Sequence, residues 1–136
     1  MNEDEERELI AAADEGRGHA IAPYSNFRVG GALRGAAGDV FRGCNIENAS
    51  YGLTMCAERV ALYSALATGT RDFDAIAIVT ASSPPSTPCG PCRQLLWEYC
   101  GDIEVIMATV GGAEVRRRRL SELLPLPFDL KERTDK

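Results

Sequence analysis

Histidine is nearly missing from this chain of 136 residues, with His19 the only example. It neighbours no motif, so a histidine metal ligand or general base is not expected, and a solvated or capping role suits it better. Long apolar runs are missing too: none approaches the ~20 residues that cross a bilayer, which argues against a membrane partner. The segment Asn2-Glu3-Asp4-Glu5-Glu6 is acidic and lacks the basic start and apolar core of a secretory signal, so a cytoplasmic location is expected. Positive charge is in deficit. A net charge of −5 argues against a nucleic-acid partner, because backbone binding depends on clustered Lys and Arg. The one basic run, Arg116-Arg117-Arg118-Arg119, reads as a solvated strand edge or a subunit contact. Internal repeats and linker-like stretches are absent, so residues 1–136 are expected to form a single domain. Its hydrophobic fraction of 45% and charged fraction of 26% suit a globular protein.

What the chain does have is five cysteines, an odd number, two of them in a Cys-x-x-Cys. Metal binding is a better reading of that pattern than disulfides where no secretion signal stands. Met55-Cys56-Ala57-Glu58-Arg59 is followed 33 residues after Cys56 by Pro88-Cys89-Gly90-Pro91-Cys92. Both stretches read as helix starts, where partial positive charge lowers a thiol's pKa and favours the thiolate that metals bind. Cys89 and Cys92, at i and i+3, share a helical face, and Cys56 from a second helix makes three ligands. Three protein ligands leave the fourth tetrahedral position to water, as in catalytic zinc sites, whereas structural sites are closed by four. Glu58 stands close enough to handle protons on such a water, although an acid in a first helical turn also compensates the dipole. Three thiolates around Zn²⁺ sum to −1, so local positive charge is needed, and Arg59 and Arg93, each next to a motif element, are candidates to reach the ligand sulfurs.

Along the chain, residues 3–15 have helical spacing at Leu9, Ile10 and Ala13, with Gly16 and Gly18 weakening the end. Phe27–Leu33 and Asp39–Ile46 are β-like and flank a hairpin connection. In extended chain Asn45 and Glu47 face one side, where an amide and a carboxylate can hold a sugar hydroxyl; a strand-end cap and a surface acid are the plainer alternative. A helix from Cys56 to Leu66 places Val60, Tyr63 and Ala67 at core spacing. A doubly buried strand over Phe73–Thr80, a Ser/Pro loop to Pro88, a helix over Cys89–Cys100 with Leu95, Leu96 and Tyr99 apolar, and a strand over Ile103–Thr109 follow. Ser121–Leu124 is a short helical turn, and the polar tail after Phe128 is expected to be loose.

The Cys-x-Glu and Pro-Cys-x-x-Cys elements resemble the signature of the zinc-dependent nucleoside and nucleobase deaminases. Pro23-Tyr24-Ser25-Asn26-Phe27-Arg28-Val29-Gly30, Gly43-Cys44-Asn45-Ile46-Glu47-Asn48-Ala49 and Glu122-Leu123-Leu124-Pro125-Leu126-Pro127-Phe128 extend the likeness to the small homotetrameric cytidine deaminases over nearly the whole chain. The resemblance implies an α/β fold of three layers, α-β-α, with a mixed β-sheet of about five strands flanked by helices. It implies one Zn²⁺ per chain on Cys56, Cys89 and Cys92, with Glu58 as general acid and base in the deamination of cytidine or 2′-deoxycytidine, a step of pyrimidine salvage. It assigns nucleoside binding to Phe27, Asn45, Glu47 and Ala57, with Asn45 and Glu47 on the ribose 3′-OH, contact with ligand sulfur to Arg59, and stacking on a neighbouring subunit's pyrimidine to Phe128. A homotetramer with shared active sites is therefore expected. Gly31 stands where the family more often has Ala, and Pro91 where a small residue is common. Two alternatives stay open: the same reaction on another aminated substrate such as blasticidin S, or a non-enzymatic zinc module closed by Cys44 or Cys100, in which Glu58 has no task.

Overall fold

The computed structural model of the chain describes residues 1–130. The acidic start nucleates α1, Glu3–Arg17: Asn2 Oδ1 accepts from Glu5 N at 2.8 Å while Glu5 Oε1 accepts from Asn2 N at 2.8 Å, a reciprocal cap of a dipole already faced by four acids. The helix buries Leu9, Ala13 and Gly16 and runs through Gly16 instead of ending there. A Cβ on Gly16 would stand 2.7 Å from the Gly43 carbonyl oxygen, so glycine lets the helix lie directly on the sheet.

Five strands form one mixed sheet in the order β2-β1-β3-β4-β5. β1 (Gly30–Gly35) and β2 (Val40–Cys44) make the expected hairpin, closed through Gly38 at φ +104°. β3 (Phe73–Thr80) lies antiparallel to β1 and parallel to β4 (Glu104–Thr109), and β5 (Val115–Arg119) closes the far edge. Both hairpin strands are shorter than their sequence suggests. Asn45 is the cause: its N–H still donates to Val29 O at 3.2 Å, but Val29 N donates back to the Asn45 Oδ1 at 2.9 Å and the Asn45 Nδ2 donates to Phe27 O at 2.8 Å, so a side chain takes over half of the next rung and the ladder ends. Beyond it, Ile46 bridges singly to Ile21 and Met55.

β3 shows how the layers divide. Ala75, Ala77 and Val79 pack with Leu9 and Ala13 of α1, while Ile76 and Ile78 pack with Leu62, Leu96 and Leu120 on the opposite face. That second face carries α2 (Ala57–Ala67), α3 (Gly90–Cys100) and the short α4 (Leu120–Leu123), giving the three-layer α-β-α arrangement. The buried side of α2 differs from expectation: Ala57, Ala61, Leu62 and Ala65 are buried, whereas Tyr63 is 43% exposed. The helix approaches Gly43 so closely that a Cβ there would stand 2.3 Å from Ala57 O and 2.6 Å from Ala61 N. Small side chains, Ala57 and Ala61, fit such an approach, Leu62 turns into the core beside them, and Tyr63 turns outward. Tyr99 of α3 is likewise 43% exposed, leaving Leu96 as that helix's buried leucine.

Arg116–Arg119 form the exposed edge strand, with ion pairs from Arg117 to Glu6 and from Arg119 to Glu104. Among the described residues no helix is long and apolar enough to cross a membrane. Residues 131–136, most of the tail expected to be loose, lie outside the described residues. Because β3 and β4 are parallel, the chain leaves β3 at Thr80, loops through 81–88 and starts α3 at the same edge where α2 begins. Two helix N-termini therefore meet above the end of β3.

Candidate active site

Cys56 occupies the N-cap of α2 and Cys89 the N-cap of α3, with Cys92 in the first turn of α3. Neither N-cap thiol makes a capping hydrogen bond, so both sulfurs are directed elsewhere. Pro91 falls in the first turn of α3, where a missing N–H costs nothing. The sulfurs of Cys56 and Cys89 are 3.9 Å apart, those of Cys89 and Cys92 3.0 Å, and all three lie within 4.8 Å of one another. Tetrahedral thiolates at a Zn–S distance of about 2.3 Å are separated by about 3.8 Å, which the Cys56–Cys89 pair matches, while Cys89 and Cys92 stand closer and would part to share an ion. Among the described residues this is the one such cluster, and neither Cys44 nor Cys100 joins it. A site closed by four thiols is thereby set aside.

The thiols share their protons unevenly. A hydrogen bond from Cys92, aided by Cys89 and Arg59 and opposed by burial, brings Cys56 down to about 6. The same bond, together with burial and the nearby Glu58, pushes Cys92 up. Arg59 loses hydration by burial, yet contact with Cys92 and the charge of the three sulfurs hold its proton more firmly than usual. Its Nε is buried without a hydrogen-bond partner among the described residues, beside sulfurs that become fully negative on metal binding. Arg93 departs from expectation. Its three nitrogens reach Pro88 O at 2.8 Å, Leu123 O at 2.8 Å and Thr87 Oγ1 at 3.1 Å, which fastens the segment ahead of Cys89 instead of touching sulfur.

Glu58 is 5% exposed. Burial raises its pKa, its own backbone N–H opposes, the charge of Cys56 raises it further, and Cys92 and Arg59 pull it back. It lines a cavity of about 220 Å³ together with Phe27, Asn45, Cys56, Ala57 and Cys89. A larger hollow of about 500 Å³ lies between α1 and β5, away from the thiols, and is crossed by the Arg117–Glu6 pair. Glu47 stands to the side of the small cavity: its Oε1 accepts from Tyr24 N at 2.9 Å and Ser25 N at 3.1 Å, and its Oε2 from the Ser25 hydroxyl. The Ser25 hydroxyl foremost, opposed by loss of hydration and helped by the backbone N–H groups of Ser25 and Tyr24, holds its carboxyl below the usual range. Phe128 is 60% exposed and absent from its own chain's cavity, while Gln94 grips its backbone on both sides, at 2.7 Å to O and 3.2 Å to N. His19 is exposed.

Sequence reasoning passed over Thr80 and Ser86, whose hydroxyls both bond to Ser82 Oγ at 2.8 Å and which also line the cavity. The Ser-rich loop was visible, but nothing local marks a hydroxyl as facing inward. Ser25 was passed over as well, although it stands within a segment that carries the resemblance.

Three clustered thiols that could hold a metal ion, with a buried carboxyl beside them on an α-β-α sheet, are the arrangement of a zinc-binding enzyme domain. The model of the cytidine and deoxycytidylate deaminase zinc-binding region matches residues 3–109, and the chain belongs to that family. It is 47% identical over 128 residues to the cytidine deaminase of Halalkalibacterium halodurans, covering 93% of this chain and 96% of that protein. To the cytidine deaminase of Sporosarcina psychrophila it is 41% identical over 121 residues, 88% of each chain. The crystal structure of cytidine deaminase from Burkholderia pseudomallei matches with a TM-score of 0.87 at 48% identity, over 94% of this chain and 100% of that one.

Proposed function

We propose that the protein is a zinc-dependent hydrolase that converts cytidine and 2′-deoxycytidine to the corresponding uridines and ammonia. The observation that carries this reading is Glu58, a carboxyl buried in the same cavity as the thiol trio and raised in pKa by that burial. Zinc, when bound, would lower the pKa of a coordinated water to about 7 and so supply the nucleophile at neutral pH. Glu58 accepts the proton that water loses as it adds to C4 and delivers it to the ring nitrogen N3. It then moves the remaining hydroxyl proton to the amine, the C4–N bond breaks, ammonia departs, and the C4 carbonyl remains. Ala57, first residue of α2, offers a backbone N–H with no acceptor inside its helix, placed to bind a base oxygen.

The sugar reading rests on what Asn45 and Glu47 have left over. Asn45 retains one amide N–H and Glu47 a free lone pair, a donor and an acceptor that together match one hydroxyl. Phe27, 41% exposed at the mouth, packs on the nucleoside. A homotetramer with shared sites is part of the proposal, supported by the outward Phe128 and by Leu126 at 95% exposure, an apolar arm with nothing of its own chain over it. So is a cytoplasmic location, where ligand thiols stay reduced. The acidic balance and the pairing of Arg117 and Arg119 with carboxylates favour a small substrate over a polynucleotide.

Ultraviolet-monitored turnover of cytidine, deoxycytidine, cytosine, adenosine and blasticidin S tests the substrate. Cytidine and deoxycytidine are expected to be converted, and a chelator to stop the reaction. Conversion of blasticidin S with neither nucleoside touched would replace the reading with the same chemistry on another amine.

A further inference from the structure

The segment Tyr24–Phe27 makes more bonds to Glu47 than a surface acid needs, and Ser25 stands at its centre. The Ser25 hydroxyl donates to Glu47 Oε2 and accepts from Phe27 N at 3.0 Å. The direction of both bonds is settled by chemistry: an ionised carboxylate only accepts and a backbone N–H only donates. Glu47 Oε1 meanwhile receives two backbone N–H groups, from Tyr24 at 2.9 Å and Ser25 at 3.1 Å. A carboxylate has about four acceptor positions, so three are filled and the last lies on the oxygen that Ser25 holds. Asn26 takes the left-handed conformation at φ +57°, which turns the chain so that the Phe27 N–H comes back onto the Ser25 oxygen and orients its proton.

We infer that Ser25 is a positioning residue for nucleoside binding: its hydroxyl, oriented by Phe27, locks the Glu47 carboxylate so that one acceptor position remains, aimed at the sugar hydroxyl. This rests on the reading that Glu47 binds the 3′-OH. Ser25 does not touch the reacting atoms. Its removal frees Glu47 to rotate and to fill its acceptor positions with water, which weakens the sugar contact and leaves the proton transfers of Glu58 as they were.

The zinc-loaded enzyme and its Ser25→Ala, Ser25→Thr and Glu47→Ala forms are compared on cytidine and 3′-deoxycytidine by steady-state kinetics, with melting temperature and zinc content alongside. Ser25→Ala is expected to raise KM for cytidine about tenfold, the loss of one hydrogen bond to a charged group. Its kcat for cytidine and its KM for 3′-deoxycytidine should stay at the values of the unmodified enzyme, and Ser25→Thr, which keeps the donor, should restore KM for cytidine. Should the alanine form not fold, Ser25→Cys, close in size but a weak donor, should show the same selective rise. An unchanged KM for cytidine, or an equal rise for both substrates, overturns the inference, because the serine would then serve only the loop. Glu47→Ala separates the two failures: if it affects both substrates equally, the sugar role of Glu47 is itself wrong and the inference falls with it.

Discussion

A glutamate in the first turn of a helix is common; one buried beside a thiol cluster is not, and that burial is what would suit Glu58 to the proposed proton transfer. Replacing it with glutamine keeps shape and hydrogen bonding but leaves a group that cannot take up and release a proton as an acid and base. Glu58→Gln is expected to retain zinc and melting temperature while kcat falls by about 10²–10⁴, the range of general acid–base catalysis; a variant keeping a tenth of the activity would contradict the role. Glu47 offers a titration. Its folded pKa is depressed, chiefly by Ser25, so the ionised carboxylate stabilises the fold above the unfolded pKa, and that contribution is lost as pH falls through the folded one. Carbon-detected NMR should find the Glu47 carboxyl titrating below an ordinary glutamate, and moving up towards it in Ser25→Ala. The thiols and Glu58 were legible in the sequence because helix starts and ligand spacing are local patterns. Position alone does not tell Arg59 from Arg93, since both simply follow a motif residue; only the resemblance favours Arg59. What separates them is that Arg93 meets Leu123 O, 30 positions away, a contact set by how α4 packs.

Among the elements, the hairpin and α2 show where periodicity stops short. Strand-like composition continues through Phe27–Val29, but there an asparagine side chain does the work of a strand partner, and a period-two pattern carries no sign of that exchange. In α2 two apolar stripes compete, and the alanine stripe is buried because Gly43 lies beneath it. Gly43→Ala tests that account. The new Cβ would meet backbone atoms of Ala57 and Ala61, which cannot step aside unless the whole helix moves and takes Cys56 with it. Overpacking of this kind costs about 1–3 kcal/mol. The expected result is a lower melting temperature together with faster loss of zinc to a chelator. Destabilisation with unchanged zinc release would show that Cys56 does not depend on how α2 is seated.

For the whole molecule, the layer class and the number of strands could be expected from the resemblance, whereas the strand order β2-β1-β3-β4-β5 could not be derived from local pattern, because β3 pairs across a helix with β4. The proposed sharing of sites between subunits is tested on the whole assembly. Glu58→Gln chains and Phe128→Ala chains, each shown to be inactive, can be dissociated, mixed and reassembled. If Phe128 acts on a neighbour's substrate, some mixed tetramers hold an intact site and activity partly returns. No recovery in mixtures proven to have exchanged subunits would place the ring in its own chain's site.

The ligand sulfurs come from two helices, with Cys56 and Cys89 separated by 33 positions of chain. An ion held there is a clasp as well as a reagent: it joins α2 to α3, and the folded form binds it better than the unfolded chain can. Mass action then ties stability to free zinc, by about 2.7 kcal/mol at a hundred times the dissociation constant. Melting temperature should climb with zinc activity even in Glu58→Gln, where no catalysis is left to protect; a flat response would show that the clasp carries no strain of unfolding. Under zinc starvation, activity and abundance would fall together, because a chain without its ion lacks the reagent and the clasp alike.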